Sequence, residues 1–244
     1  MKHGSDTEKF LEYKFTFVFM NGEEKNIELK IQKDSLLLVT DPDKVVPEWA
    51  RQDNFCCPVQ TCLKEHPAHC PIAVNLHNII TFFSDVPSYE KVKIIAEVNN
   101  RTCSKETSVQ DGVGSIAGII MATSGCPVLG KLKPMVRFHL PFATIEETEF
   151  RVFSMYLLAQ YFLMKNGKRT DWEMKRLKEL YSDIQRINQH FARKIADLEK
   201  MDTSINAVVI LDNFANSVTF DLDDDDLSNI EYLFKDWMND GEKC

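Results

Sequence analysis

The chain has 244 residues, 44% of them hydrophobic and 27% charged, with a net charge of −8. That length buries a sizeable core without help from a metal or crosslink, and that balance excludes a uniformly basic nucleic-acid surface. The first ten residues, "MKHGSDTEKF", hold no apolar leader, and no run reaches the eighteen apolar residues of a membrane span. The expectation is a cytoplasmic protein with reduced thiols, and an odd count of seven cysteines does not suggest a disulfide framework.

In chain order, "YKFTFVF" (13–19) and "IELKIQ" (27–32) alternate as strands around Asn21-Gly22, a hairpin signal. "SLLLV" (35–39) reads as a third strand, and 41–52 as a turn and short helix. After a cysteine-rich loop, Pro71 opens a helix carrying Ile72, Leu76, Ile79, Ile80 and Phe83, with Cys70 at its N-cap. Residues 92–110 read as a second hairpin turning near Asn99-Asn100 and able to join the first. A helix over 111–123 follows, capped by Asp111. Its three glycines imply close packing against another backbone.

The remainder reads as helical. Residues 145–164 carry Phe150, Phe153, Met155, Leu157, Leu158, Tyr161 and Phe162. Residues 170–199 form a long amphipathic helix, capped by Thr170 or Asp171. Its stripe is Trp172, Leu177, Leu180, Ile184, Ile187, Phe191 and Ile195. Helices over 204–219 and 227–238 complete the chain, with "DLDDDD" (221–226) a solvated run lacking EF-hand spacing. Gln160, Gln185, Asn188, His190, Asn206, Asp212 and Asn213 are satisfied buried polar groups, solvent-facing groups or pocket-lining ones. The expected class is α+β: a small antiparallel sheet of two hairpins packed with a C-terminal helical bundle. Residues 1–110 form its mainly β region and 111–244 its helical region, within one integrated domain.

The chemistry concentrates in "CPVQTCLKEHPAHC" (57–70), three cysteines and two histidines in fourteen residues. Tetrahedral zinc wants four thiolates or imidazoles on loops that let them converge. Cys57, Cys62 and Cys70 supply three, and Cys126 in "TSGCP" is the fourth expected ligand, with Cys56, His66 and His69 as possible replacements. Pro58, Pro71 and Pro127 stiffen the chain beside the thiols. A helix N-terminus is expected to lower the Cys70 thiol pKa toward the thiolate that a metal binds. Four cysteines hold zinc or an iron–sulfur cluster. The Cys-x4-Cys step occurs in plant-type [2Fe–2S] proteins, but the following x7 departs from their x2, so zinc stands ahead. A second reading is an enzyme. If 134–142 is extended, Arg137 and His139 share one face, and Cys126 becomes a nucleophile with His139 as base and Arg137 as anion holder, or zinc keeps an open position. A di-iron bundle is excluded, because no helix supplies Glu-x-x-His. A third reading is a homodimeric interaction module using the N-terminal sheet edge or the long helix.

The segments "CLKEHPAHCPIAVNL", "MATSGCPVLGKLKPMVRFHLPFAT" and "SMYLLAQYF" resemble a bacterial family known only as a domain of unknown function. The resemblance runs from about Tyr13 to Phe214. The family opens with a tighter Cys-Pro-x-Cys-type step, whereas four residues separate Cys57 from Cys62 here, and Cys56 is an alternative to Cys57. Cys62, Cys70 and Cys126 match. The resemblance implies that the cysteine loop and the Cys126-to-His139 segment belong to one site, and it implies no activity.

The leading expectation is a cytoplasmic metal-binding protein, its thiolate-rich site structural or sensory.

Overall fold

The structure, a computed structural model, describes residues 9–41, 45–59, 68–98, 100–198, 202–224 and 227–239. Strands β1 (Phe10–Phe19) and β2 (Glu24–Gln32) form the first hairpin, and β3 (Lys91–Val98) and β4 (Arg101–Ser108) the second. They join in one antiparallel sheet, ordered β2-β1-β3-β4. Gly22 takes a φ of 86°, which a Cβ would oppose, and Asn21 Oδ1 accepts the Glu23 amide at 2.9 Å. The two-residue alternation puts Leu11, Tyr13, Phe15, Phe17 and Phe19 of β1 on the buried face. Ile27, Leu29 and Ile31 of β2 and Val92, Ile94, Ala96 and Val98 of β3 join them. Full burial of each large side chain is worth roughly 1.5–3 kcal/mol, so this face dominates the core. The edge strand β4 is mostly exposed and carries Arg101, Lys105 and Glu106, charges that discourage edge-to-edge pairing.

Residues 35–39 do not form the expected strand. Leu36 turns with φ 52°, and a single bridge, Ile31 to Leu38, joins this run to β2. A 3₁₀ turn (Glu48–Ala50) and α1 (Gln52–Phe55) lead into the cysteine loop. Helix α2 (Pro71–Phe82) starts where Pro71 predicts, with Cys70 as N-cap. Helix α3 (Val109–Thr123) begins two residues before the expected start, with Ser108 at its cap position. Asp111 lies in the first turn and accepts the Ser108 hydroxyl at 2.9 Å. Close packing explains the α3 glycines: a Cβ on Gly114 would lie 3.4 Å from the Ala207 carbonyl oxygen, and one on Gly112 would enter the Ile94 and Phe17 side chains.

A 3₁₀ turn (Leu129–Leu132) and the short α4 (Lys133–Arg137) follow. The expected extended segment at 134–142 is therefore corrected. Pro134 sits in the first turn of α4, where its missing N–H costs nothing. Helix α5 (Ile145–Lys165) is set by a capping box between Thr144 and Glu147 and closed by Gly167 at φ 66°. Helix α6 (Lys175–Ala196) starts later than expected. Met174 has φ 56°, the Asp171 carboxylate accepts the Arg176 amide at 2.7 Å from outside the helix, and Trp172 is 49% exposed. The rest of its stripe, from Leu177 to Ile195, is buried. Helices α7 (Thr203–Asp224), α8 (Ser228–Glu231) and α9 (Lys235–Asn239) complete the α+β fold.

Contacts divide the chain into two units, one of residues 1–142 and 186–212, the other of 143–185 and 213–244. The first holds the sheet, α1–α4 and the cysteine loop. In the second, Gln160 Oε1 accepts the Asp171 amide at 2.9 Å, and buried Glu149 accepts the Ser217 hydroxyl and, at 2.9 Å, the Asn229 amide. These are satisfied buried polar groups, each tying α5 to another segment. No helix of the described residues is long and apolar enough to cross a membrane.

Candidate metal centre

The cysteine loop is pinned at both ends. The Cys70 amide donates to the Ala50 carbonyl at 2.8 Å and the Gln52 amide to the Ala68 carbonyl at 3.1 Å, with Arg51 and His69 bridged between them. The chain thus leaves and returns at one place, bringing α1 beside the start of α2. The α3 end meets α2 through Asn75, whose amide donates to Ser124 Oγ at 3.1 Å. Gly125 then turns the chain with φ 92° into buried Cys126.

Three of the four expected ligands lie in the described residues. Cys70 is 3% exposed, Cys126 is 5% exposed and Cys57 is half-buried; none of them is in a disulfide. Charge on Cys57 or on Cys126 would be felt at Cys70. Cys62 and His66 lie outside the described residues. Among the described residues, no three His, Cys, Asp or Glu side chains are already arranged to hold a metal ion. Cys56 is exposed in a left-handed conformation (φ 50°) and turns its thiol onto the Asp53 carbonyl at 3.3 Å.

The expectation of a lowered Cys70 pKa is overturned. Burial pushes this thiol up to about 12, and the Ile72 and Ala73 amides at the α2 start only partly offset it. Those amides face the sulfur without making a capping hydrogen bond. Charge on Cys57 and Cys126 raises it further. Desolvation of an anion outweighs the half-charge of a helix end when the site is dry.

Arg137 ends α4 and His139 follows it, in place of the extended segment. His139 Nε2 lies 3.1 Å from Ser115 Oγ, and the His139 ring meets Tyr13 edge-on at 6.1 Å. The Arg137 guanidinium lies 5.6 Å from the Phe138 ring centre, and its charge bears on Tyr13. The Tyr13 hydroxyl donates to the Val136 carbonyl at 2.8 Å, and burial pushes its pKa up to about 12. This cluster fastens α4 to the sheet.

One supporting set was not singled out from the sequence. Arg186, His190 and Lys194, spaced i, i+4 and i+8 on α6, all donate to backbone carbonyls at the mouth of the cysteine loop. Arg186 reaches Pro58 at 2.8 Å, Lys194 reaches Asn54 at 2.6 Å, and His190 Nε2 bonds Phe55. His190 and Lys194 satisfy carbonyls that the four-residue α1 leaves open, and Arg186 one just beyond it. Burial, followed by the Lys194 and Arg193 charges, holds the His190 pKa below its usual value, against the Phe55 hydrogen bond. The Phe55 ring packs on Phe191 and His190, each at 4.8 Å. The four-residue spacing of these three basic side chains was the available signal; their partners were not legible.

A family model described as "Domain of unknown function (DUF6901)" matches residues 11–235. The chain belongs to this family. No curated protein and no solved structure matches it.

Proposed function

We propose that this is a metal-binding protein in which Cys57, Cys62, Cys70 and Cys126 hold one zinc ion, in a structural or sensory role. The observation that supports it is that α2, whose N-cap is buried Cys70, is held to the end of α3 by the Asn75–Ser124 hydrogen bond, two residues from buried Cys126. Thiolates gathered in a dry site repel one another and resist ionisation, and a soft divalent cation relieves both costs. The donor set fits zinc, and fits an iron–sulfur cluster second. When bound, the ion would fasten the cysteine loop to α2 and to the end of α3. The chain's own contribution is positional. Pro58 and Pro71 restrict the backbone beside Cys57 and Cys70, Asn75 holds Ser124 two residues from Cys126, and the α6 cations hold the carbonyls flanking Cys57.

Elemental analysis with an anaerobic ultraviolet–visible spectrum of the purified chain tests this. The expected result is about one zinc per chain with no visible absorption, and loss of metal in Cys62→Ser. Visible charge-transfer bands with iron would replace the metal and keep the ligands. A stably folded, metal-free protein with every thiol freely titratable would overturn the proposal.

A further inference from the structure

Helix α5 is built inside out. Its buried residues are Glu149, Val152, Phe153 and Gln160, so half of what it hides is polar. Val152 to Met164 is a run of thirteen residues without a charge. Besides Ile145 in its first turn, six large apolar side chains of this helix are exposed: Phe150, Leu157, Leu158, Tyr161, Phe162 and Met164. A solvent-facing helix ordinarily carries charge on that side.

The exposed face has a register. Glu147, Phe150, Ser154, Leu157, Tyr161 and Met164 follow one another along α5 at alternating steps of three and four, with Leu158 and Phe162 beside them, the spacing of a helix–helix seam. Its ends are opposite in sign: Glu146 and Glu147 lie at the start, and Lys165, Lys168 and Arg169 at the end. Beside the seam is a groove of about 390 Å³, lined among others by Phe150, Phe153, Ser154, Leu157, Met174 and Phe234.

We propose that this face is the interface of a homodimer, in which α5 pairs antiparallel with α5 of a second copy about a two-fold axis near Leu157–Leu158. Charge selects this occupant. A two-fold axis sets a patch against itself. An uncharged centre then meets no repulsion, and the antiparallel sense brings Glu146 and Glu147 at the start of α5 in each copy toward the basic end of the other, Lys165 and, just past the helix, Lys168 and Arg169. The same register sets Tyr161 of one copy against Ser154, at the groove of its partner. Area agrees: with full side-chain areas near 200 Å², the six apolar residues expose on the order of 500 Å² per copy. That brings the pair to roughly 1,000 Å², where specific interfaces begin, before any polar rim is added. This proposal does not depend on the metal.

Sedimentation velocity of the full chain, with circular dichroism as a check on folding, tests it. The wild type is expected to sediment as a dimer, and Leu157→Glu, at a seam site 37% exposed, as a folded monomer. Tyr161→Ser, at a seam site 41% exposed, provides the same reading if Leu157→Glu does not fold. Lys168→Glu is expected to weaken the dimer about tenfold, since it reverses two symmetry-related contacts. A wild type that stays monomeric up to about 100 µM, as it would if another protein or a lipid surface covered α5, overturns the proposal. So does a dimer unmoved by the apolar substitutions, and an unchanged affinity in Lys168→Glu overturns the antiparallel register.

Discussion

Helices α3 and α5 are both rich in apolar residues, with one charge in α3 and none between Val152 and Met164 of α5, yet they bury opposite things. Helix α3 buries Val113, Ile116, Ile119, Ile120 and Met121, and its glycines let the sheet side chains and the α7 backbone close in. Helix α5 buries Glu149 and Gln160 and leaves Leu158 and Phe162 outside. Apolar content therefore does not say where a helix sits. What separates the two is the size of the contact residues: small ones let α3 enter a core, whereas large ones on α5 remain available for a second surface.

Substitutions at matched positions break this contrast if it is wrong. The largest effect is expected within α5 itself. Phe153→Ala empties a site 3% exposed and should cost about 4 kcal/mol. Phe162→Ala, about two and a half turns along and so on the opposite face, should change the stability of the separate chain by no more than about 0.5 kcal/mol. Urea unfolding at a concentration below dimerisation measures both, and equal costs would mean that the two faces of α5 are not distinct.

The same comparison within α3 is expected to be smaller. A Cβ at Gly112 would lie 2.6 Å from Phe17 Cε1, inside a filled core, so Gly112→Val should destabilise by about 3 kcal/mol. At Gly118 the nearest atom is Leu211 Cδ2 at 3.4 Å, the mobile end of a side chain. Gly118→Ala should stabilise by about 0.5 kcal/mol through helix propensity. If both substitutions destabilise alike, close approach is not what the α3 glycines provide.

The parts legible in the sequence are those fixed by near neighbours. Alternation in "YKFTFVF", the Asn21-Gly22 turn and Pro71 depend on adjacent residues, and the hairpins and α2 stand where these place them. Residues 134–142 misled because a short alternating run that opens on a proline suits a strand or a helical turn. Trp172 joined the α6 stripe by spacing, but Asp171, held by the Tyr156 hydroxyl at 2.6 Å and the Arg176 amide, delays the helix. The Cys70 pKa was argued from its helix end alone, whereas burial, a tertiary property, decides it. For the candidate site the cysteines were visible as a set. The α6 carbonyl clamp was not, because Arg186 and Pro58 are 128 residues apart. The outward face of α5 was hidden for a related reason: periodicity defines a stripe but not which side faces water.

The smallest expected effect is electrostatic, and it arises in both units. Burial raises the Asp202 carboxyl, but hydrogen bonds from the Ser88 amide at 3.2 Å and the Asn206 amide at 3.0 Å outweigh it, and the net pKa is below the usual value. Asp171 follows the same pattern, with burial opposed by the Tyr156 hydroxyl and the Arg176 and Lys175 amides. A carboxyl with a lowered folded pKa stabilises the fold above its unfolded value of about 3.9, and that contribution disappears as pH falls through the folded pKa. The Asp202→Asn and Asp171→Asn proteins should therefore unfold at lower urea than wild type at pH about 6, with each gap narrowing below pH about 4. Asp202 anchors the start of α7 to Ser88 in the first unit, whereas Asp171 positions the start of α6 in the second. A gap that closes for one aspartate and persists for the other would mean that the persistent one acts through hydrogen-bond geometry, which asparagine disturbs at every pH, and not through its charge.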